Sequence, residues 1–141
     1  MSRNTRNKII AKLERLDEYL KYLQEIQKVN KKSFIEDFHF FGLAERYFQL
    51  IIEIMFDVSK LILIYEDMEK PDQNQEVLSA LRAKKILPKT LIEKLSGIAN
   101  FRNILVHDYE KINRAIVYQK LQKNLDDFVA FKKCVLKFLA K

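Results

Sequence analysis

From Ser33 to Pro71 nothing in this chain stops a helix. Ser33 and Glu36 form an S-x-x-E capping box at its start, Asp37 adds negative charge to the first turn, and the next breaker is Pro71. Within that stretch a helix can run about 32 residues, or roughly 48 Å at 1.5 Å per residue. A 141-residue globule has a radius of gyration of only about 14 Å, so this helix is as long as the domain that must contain it. It carries two apolar stripes. One is Phe34, Phe38, Phe41, Phe48, Ile52, Met55 and Ile62; the other is Phe40, Leu43, Tyr47, Ile51, Ile54, Val58 and Leu61. Together they are wider than one core-facing surface requires. Either several helices cover it within the chain, or a second apolar face meets a partner chain, and both can hold.

The same lack of punctuation runs through the whole sequence, which has two glycines and two prolines. Sandwiches, barrels and dinucleotide-binding folds use glycine in tight turns and are excluded, as are glycine-rich phosphate loops. Helical periodicity fills the rest. Ile9, Leu13, Leu16, Leu20 and Leu23 give a first amphipathic helix, followed by a connector at 29–32. After the polar stretch at 69–75 a short helix carries Val77, Leu78 and Leu81 and ends near Lys84 and Lys85. Pro88 suits the first position of a fourth helix, with Leu91, Leu95 and Ile98, that runs on into FRNILVHDY. Asn113 is the expected N-cap of a last helix with Tyr118, Leu121, Leu125, Phe128, Val135 and Leu139 in its core stripe. The expectation is all-α: one domain over 1–141, a bundle of about five helices around one long central helix.

The remaining composition narrows the chemistry. Lys and Arg outnumber Asp and Glu by 26 to 19, a charge of +7 that suits an anionic partner without specifying one. Lysines such as Lys84, Lys85, Lys89 and Lys137 complement helix dipoles and aid solubility, and some can steer RNA. Two histidines and one cysteine rule out zinc fingers and disulfide scaffolds, and no metal ligand set is expected. Cys134 reads as a small buried hydrophobe and His39 as structural. The first apolar stretch is broken by Lys12, Glu14 and Arg15, and the most apolar region carries Glu45, Arg46, Glu53, Asp57 and Lys60. No signal peptide or membrane span is therefore expected, and the single cysteine fits a reducing cytoplasm.

One constellation holds chemistry. Arg102, Asn103, His107 and Tyr109 fall within eight residues. On a continuous helix Asn103 and His107 share a face, Arg102 and Tyr109 share another, and Arg102 and His107 stand about 140° apart. Those two cannot meet one phosphate from an unbroken helix in one chain. Either the helix ends inside this stretch or a second copy of the chain completes the site. Histidine exchanges protons near neutral pH, arginine binds phosphate oxygens in pairs, and asparagine can orient the imidazole or donate to a phosphate.

The pattern Arg102-Asn103-x-x-x-His107-x-Tyr109 resembles the Arg-x4-His-x-Tyr motif of the HepT toxins of the HEPN superfamily (higher eukaryotes and prokaryotes nucleotide-binding). With two histidines and six tyrosines in the chain, it is rare by chance. Glu45-Arg46-Tyr47-Phe48 resembles that family's Glu-Arg segment on the long helix, and Asp108 between His107 and Tyr109 is compatible with it. The resemblance implies a HEPN-like homodimer in which the motifs of both subunits meet in a cleft. It implies metal-independent endoribonuclease activity, with tRNA among the targets of such toxins. It also implies a cognate partner, a minimal nucleotidyltransferase antitoxin that uses ATP to transfer AMP to the motif tyrosine, here Tyr109. The toxin itself would need no cofactor. Glu45 and Arg46 would line the cleft or form structural ion pairs, with counterparts across the dimer among the candidates. Two other readings stand beside this one: a non-catalytic nucleotide-binding partner of a nucleotidyltransferase, and a purely structural helical dimer.

Overall fold

The protein, described over residues 1–141 by a computed structural model, is entirely helical. Its elements are α1 (Arg3–Gln27), α2 (Lys31–Glu36), α3 (Phe38–Tyr65), α4 (Asn74–Ala83), α5 (Lys89–Lys94), α6 (Ile98–His107), a 3-10 turn (Tyr109–Lys111), α7 (Arg114–Lys123) and α8 (Leu125–Leu139). The expected long helix is the centre of the molecule: α1, α2, α4, α6 and α7 all pack against α3.

Three expected helices are each broken once, and each break has a local cause. The stretch after Ser33 divides at Asp37, whose backbone is extended (φ −108°, ψ 113°) and whose carboxylate accepts the His39 backbone N–H at 2.9 Å. Asp37 is thus the N-cap of α3 rather than a first-turn charge. The Ser33–Glu36 capping box does not form, because Asn30 caps α2 and its Oδ1 accepts the Ser33 N–H at 2.9 Å. His39 keeps the structural part expected of it, stacked on Phe38 with Nδ1 at 3.0 Å from the Asp37 carboxylate. The stretch from Leu91 through FRNILVHDY divides at Gly97, which adopts φ +80°, a left-handed conformation that glycine alone takes without strain. The last stretch divides at Asn124 into α7 and α8. Asn113 caps α7 as expected, accepting from Ala115 and Ile116 at 3.0 and 3.3 Å.

The long helix also ends before Pro71. After Tyr65 the chain closes a Schellman turn: the Met68 N–H bonds to the Leu63 carbonyl at 2.9 Å and the Asp67 N–H to Ile64 at 3.1 Å. The same turn ends α4, with Ile86 bonding Leu81 at 3.0 Å and Lys85 bonding Arg82 at 2.8 Å. Such turns place one residue in the left-handed region, and in a glycine-poor chain Asp67 (φ +54°) and Lys85 (φ +61°) occupy it. For a residue with a Cβ this conformation costs about 1 kcal/mol.

One core of 32 buried apolar side chains holds these elements together. The α1 stripe of Ile9, Leu13, Leu16, Leu20 and Leu23 is buried against α3, as its spacing predicts. On α3, Phe48, Ile51, Ile52, Met55, Val58 and Ile62 are fully enclosed, so both predicted stripes contribute to the core. The long helix is therefore covered mainly from within the chain. Phe38, Leu43 and Ile64 remain exposed on it.

The split at Gly97 gives a direct test. A Cβ there meets nothing within 4 Å, so Gly97→Ala adds backbone strain alone. It is expected to lower unfolding free energy by about 1–2 kcal/mol in urea titration, with the slope unchanged.

Candidate active site

The motif sits where α6 ends. Arg102 lies in the middle of α6 and turns inward to α3. Its Nε and Nη2 donate to one oxygen of Glu53 at 3.2 and 2.7 Å. Both side chains are largely withdrawn from solvent, at 24% and 32% exposure, so the pair is a more rigid anchor than a surface ion pair. Gln49, one turn before Glu53, donates to the same oxygen at 3.1 Å. Asn103 Oδ1 accepts from Arg102 Nη1 at 3.4 Å. Asn103 thus steadies the arginine, and no hydrogen bond joins it to His107.

His107 is the last residue of α6 and is exposed. Asp108 caps the helix with φ −119° and ψ 53°, its N–H bonding the Ile104 carbonyl at 3.2 Å. The chain then turns through the 3-10 segment, and Tyr109 stands 69% exposed with its phenol in no hydrogen bond. The helix therefore ends within the motif, yet it ends after His107. Arg102 and His107 stay on one unbroken helix, and their divergence of about 140° is not relieved. Ending there removes Tyr109 from the Arg102 face and presents it on an exposed turn.

Glu45 and Arg46 behave differently from each other. Arg46 is exposed, and neither side chain makes an ion pair within the chain. Glu45 is half-buried, and burial pushes its carboxyl above the usual glutamate range, while nearby Arg114 pulls it down. The Arg114 guanidinium lies 3.7 Å over the Phe41 ring and donates to the Ile35 carbonyl at 3.4 Å. Glu45, Gln49 and Glu53 form an i, i+4, i+8 polar ridge on the largely apolar α3, with Arg114 near one end and Arg102 at the other. Sequence reasoning noted Glu53 only as a charge in an apolar stretch. The four-residue spacing of this ridge was the available signal.

No three His, Cys, Asp or Glu side chains gather as a metal-binding group. Cys134 is partly buried, and burial raises its thiol above the usual range, in keeping with a packing role. No helix is long and apolar enough to cross a membrane.

With this geometry in view, the comparisons are specific. The family described as ribonuclease HepT-like matches residues 13–135. The chain belongs to this family. Among HepT-like relatives, it is 25% identical over 123 residues to the mRNA nuclease HepT of Shewanella oneidensis, covering 87% of this chain and 92% of the relative. It is 24% identical over 131 residues to the tRNA nuclease HepT of Aphanizomenon flos-aquae, covering 93% and 89%. In fold it matches a tri-AMPylated Shewanella oneidensis HEPN toxin in complex with MNT antitoxin, with a TM-score of 0.84, 24% identity and 92% and 96% of the two chains covered. It also matches YutE, a cytosolic protein of unknown function from Bacillus subtilis, with a TM-score of 0.82, 19% identity and coverage of 95% and 90%. Relatives of this chain are named for cutting different RNAs, and one protein of similar fold has no known function, so the activity of this chain has to be argued from its own side chains.

The raised Glu45 carboxyl predicts a pH signature. The fold favours its neutral form, so its contribution is fully present below the unfolded value of 4.5 and is lost as pH rises through the higher folded value. Glu45→Gln is therefore expected to melt at a higher temperature than the wild type near pH 7.5. The gap should close at pH values below 4.5.

Proposed function

We propose that this HepT-like chain is the toxin of a toxin–antitoxin pair, a homodimeric, metal-independent endoribonuclease silenced by AMP transfer to Tyr109. The observation that carries this reading is the division of the motif: Arg102 anchored on Glu53, His107 free at the end of the same helix. Cutting RNA without a metal needs a base for the 2′-hydroxyl, cationic stabilisation at phosphorus and an acid for the departing 5′-oxygen. A base takes the 2′-hydroxyl proton while that oxygen attacks the adjacent phosphorus. The P–O5′ bond breaks, and an acid protonates the leaving oxygen, giving a 2′,3′-cyclic phosphate and a 5′-hydroxyl. His107 is the proton carrier, Arg102 the phosphate ligand, and Asn103 holds the arginine and donates to phosphate.

One chain has one motif histidine, and that histidine diverges from its own arginine. A dimer that juxtaposes two motifs resolves both shortages. His107 of each subunit supplies one proton step, and each Arg102 can face the partner's histidine. Messenger RNA and tRNA are the substrate classes of the relatives, and both fit a site that contacts the backbone.

The exposed Tyr109 phenol fits the acceptor role. Its oxygen attacks the α-phosphorus of ATP, pyrophosphate leaves, and the phenolic proton passes to solvent or to a base on the partner. That partner is a minimal nucleotidyltransferase, the class of protein seen with the similar HEPN toxin. The attached AMP sets bulk and an anion beside the motif and so blocks RNA.

Purified protein is expected to cut single-stranded RNA in the presence of EDTA. His107→Ala should lower the rate by about 10²–10⁴-fold and Arg102→Ala by about 10²–10³-fold, with the helical circular dichroism spectrum unchanged. Glu53→Gln, which frees the arginine while keeping its shape, should cost less than Arg102→Ala. Incubation with the nucleotidyltransferase and ATP should add AMP masses that disappear in Tyr109→Phe. Tight nucleotide binding without any cleavage would instead favour the non-catalytic module.

A further inference from the structure

A second electropositive feature lies away from the motif. A concavity of about 620 Å³ opens between the end of α4, the loop leading to α5 and the last turns of α8. Arg82, Lys84, Lys85, Lys89, Lys137 and Lys141 line it, against one acid, Glu66. Of the six cations only Lys89 has an ion-pair partner, Glu93 at 4.0 Å, and that contact is exposed. Five positive side chains are thus gathered without an ion-pair partner, beside a single acid.

Lys85 is the member of the cluster whose backbone allows a clean test. It occupies the left-handed position of the α4 Schellman turn at φ +61°, where glycine would sit without strain. Local stability favours glycine at this position and the chain has lysine, at the edge of the concavity. Asp67 holds the equivalent position after α3, so it is the charge gathered around Lys85, not its backbone, that marks this site.

We propose that this concavity is a second RNA-binding site, an exosite that grips the phosphate backbone of a strand whose scissile bond lies at the Arg102–His107 motif. This rests on the ribonuclease reading and deepens it. The lining is cationic around an apolar floor of Leu87 and Phe138, with little to read base edges, so it recognises backbone charge rather than sequence. Its distance from the motif follows from α3. Glu53, midway along that helix, holds Arg102, and Glu66, just past its end, lines the concavity. The thirteen-residue step from one to the other is about 20 Å along the axis at 1.5 Å per residue and about 140° around it, so 20 Å is the shortest separation. A strand reaching from one to the other therefore needs at least about six nucleotides at roughly 3.4 Å each. Long RNAs therefore gain from the exosite, and very short ones do not.

The test uses binding and cleavage together. In a His107→Ala background, which does not consume the probe, the Kd of a 20-nucleotide single strand is measured across a salt series. It is compared with the same protein also carrying Lys84→Ala, Lys85→Gly and Lys137→Ala. Loss of three phosphate contacts should weaken binding and flatten the log K against log salt slope by about 2, at about 0.7 per contact. Lys85→Gly alone should weaken binding while raising the urea midpoint, which separates binding from folding. In the His107 wild-type background the triple variant should lose kcat/KM on the 20-mer and keep it on a trinucleotide. ATP at equal phosphate concentration should not displace the strand, since a polyanion engages several cations at once. Unchanged affinity and salt slope in the triple variant, or displacement by ATP, would overturn the exosite. A wild-type protein that binds RNA but never cuts it would instead overturn the ribonuclease reading and leave the binding comparison intact.

Discussion

Everything in this molecule is arranged around the burial of α3. A 28-residue helix with apolar side chains around more than half of its circumference is stable only if other elements enclose it, and α1, α2, α4, α6 and α7 do so. Charge is tolerated on α3 only where this enclosure opens. The Glu45–Gln49–Glu53 ridge lies along such an edge, and it receives Arg102 from α6. The anchor of the site is thus a by-product of how the core closes. A partly withdrawn carboxylate on the central helix needs a partner, and the motif arginine is that partner.

The middle of α3 and the turn just past its end carry opposite arrangements of charge. At the motif, cation and anion are matched, so Arg102 is held in one place and its strength toward phosphate is tempered by Glu53. At the far concavity all the cations but Lys89 lack an ion-pair partner and sit mostly on long lysine stems, which suits attraction over placement. This division between a positioned arginine and loosely held lysines is what cutting a bond within a long polyanion calls for.

The architecture was legible because burial on a helix writes a 3.6-residue period into the sequence. The α1 stripe, the long central helix, the α4 end near Lys84 and the Asn113 cap all follow from spacing and cap chemistry. The breaks were harder to read. Asp37 and Asn124 are capping residue types, but an apolar period runs across each of them, from Phe34 to Phe38 and from Leu121 to Leu125, and it hid the breaks. Gly97 was visible as a residue, but its left-handed backbone was not. The bundle therefore has more and shorter helices than the expected five. In the site, the motif was legible from Arg102 to Tyr109 through its residue types and spacing. Its anchor was not, because Glu53 is distant in sequence and acquires its meaning only when α6 docks on α3. Glu45 was visible too, but its raised carboxyl depends on enclosure that no local pattern encodes.

The central claim is that one motif is insufficient and that catalysis draws a histidine from each of two chains. It is tested most directly by the RNA cleavage rate of a purified hybrid dimer, one subunit wild-type and the other His107→Ala, joined by distinct tags. If His107 of both subunits act in the same reaction, the hybrid falls far below half the wild-type rate, toward that of the doubly substituted dimer. A hybrid that retains about half of the wild-type rate would mean that each chain carries a complete site, and would contradict the account.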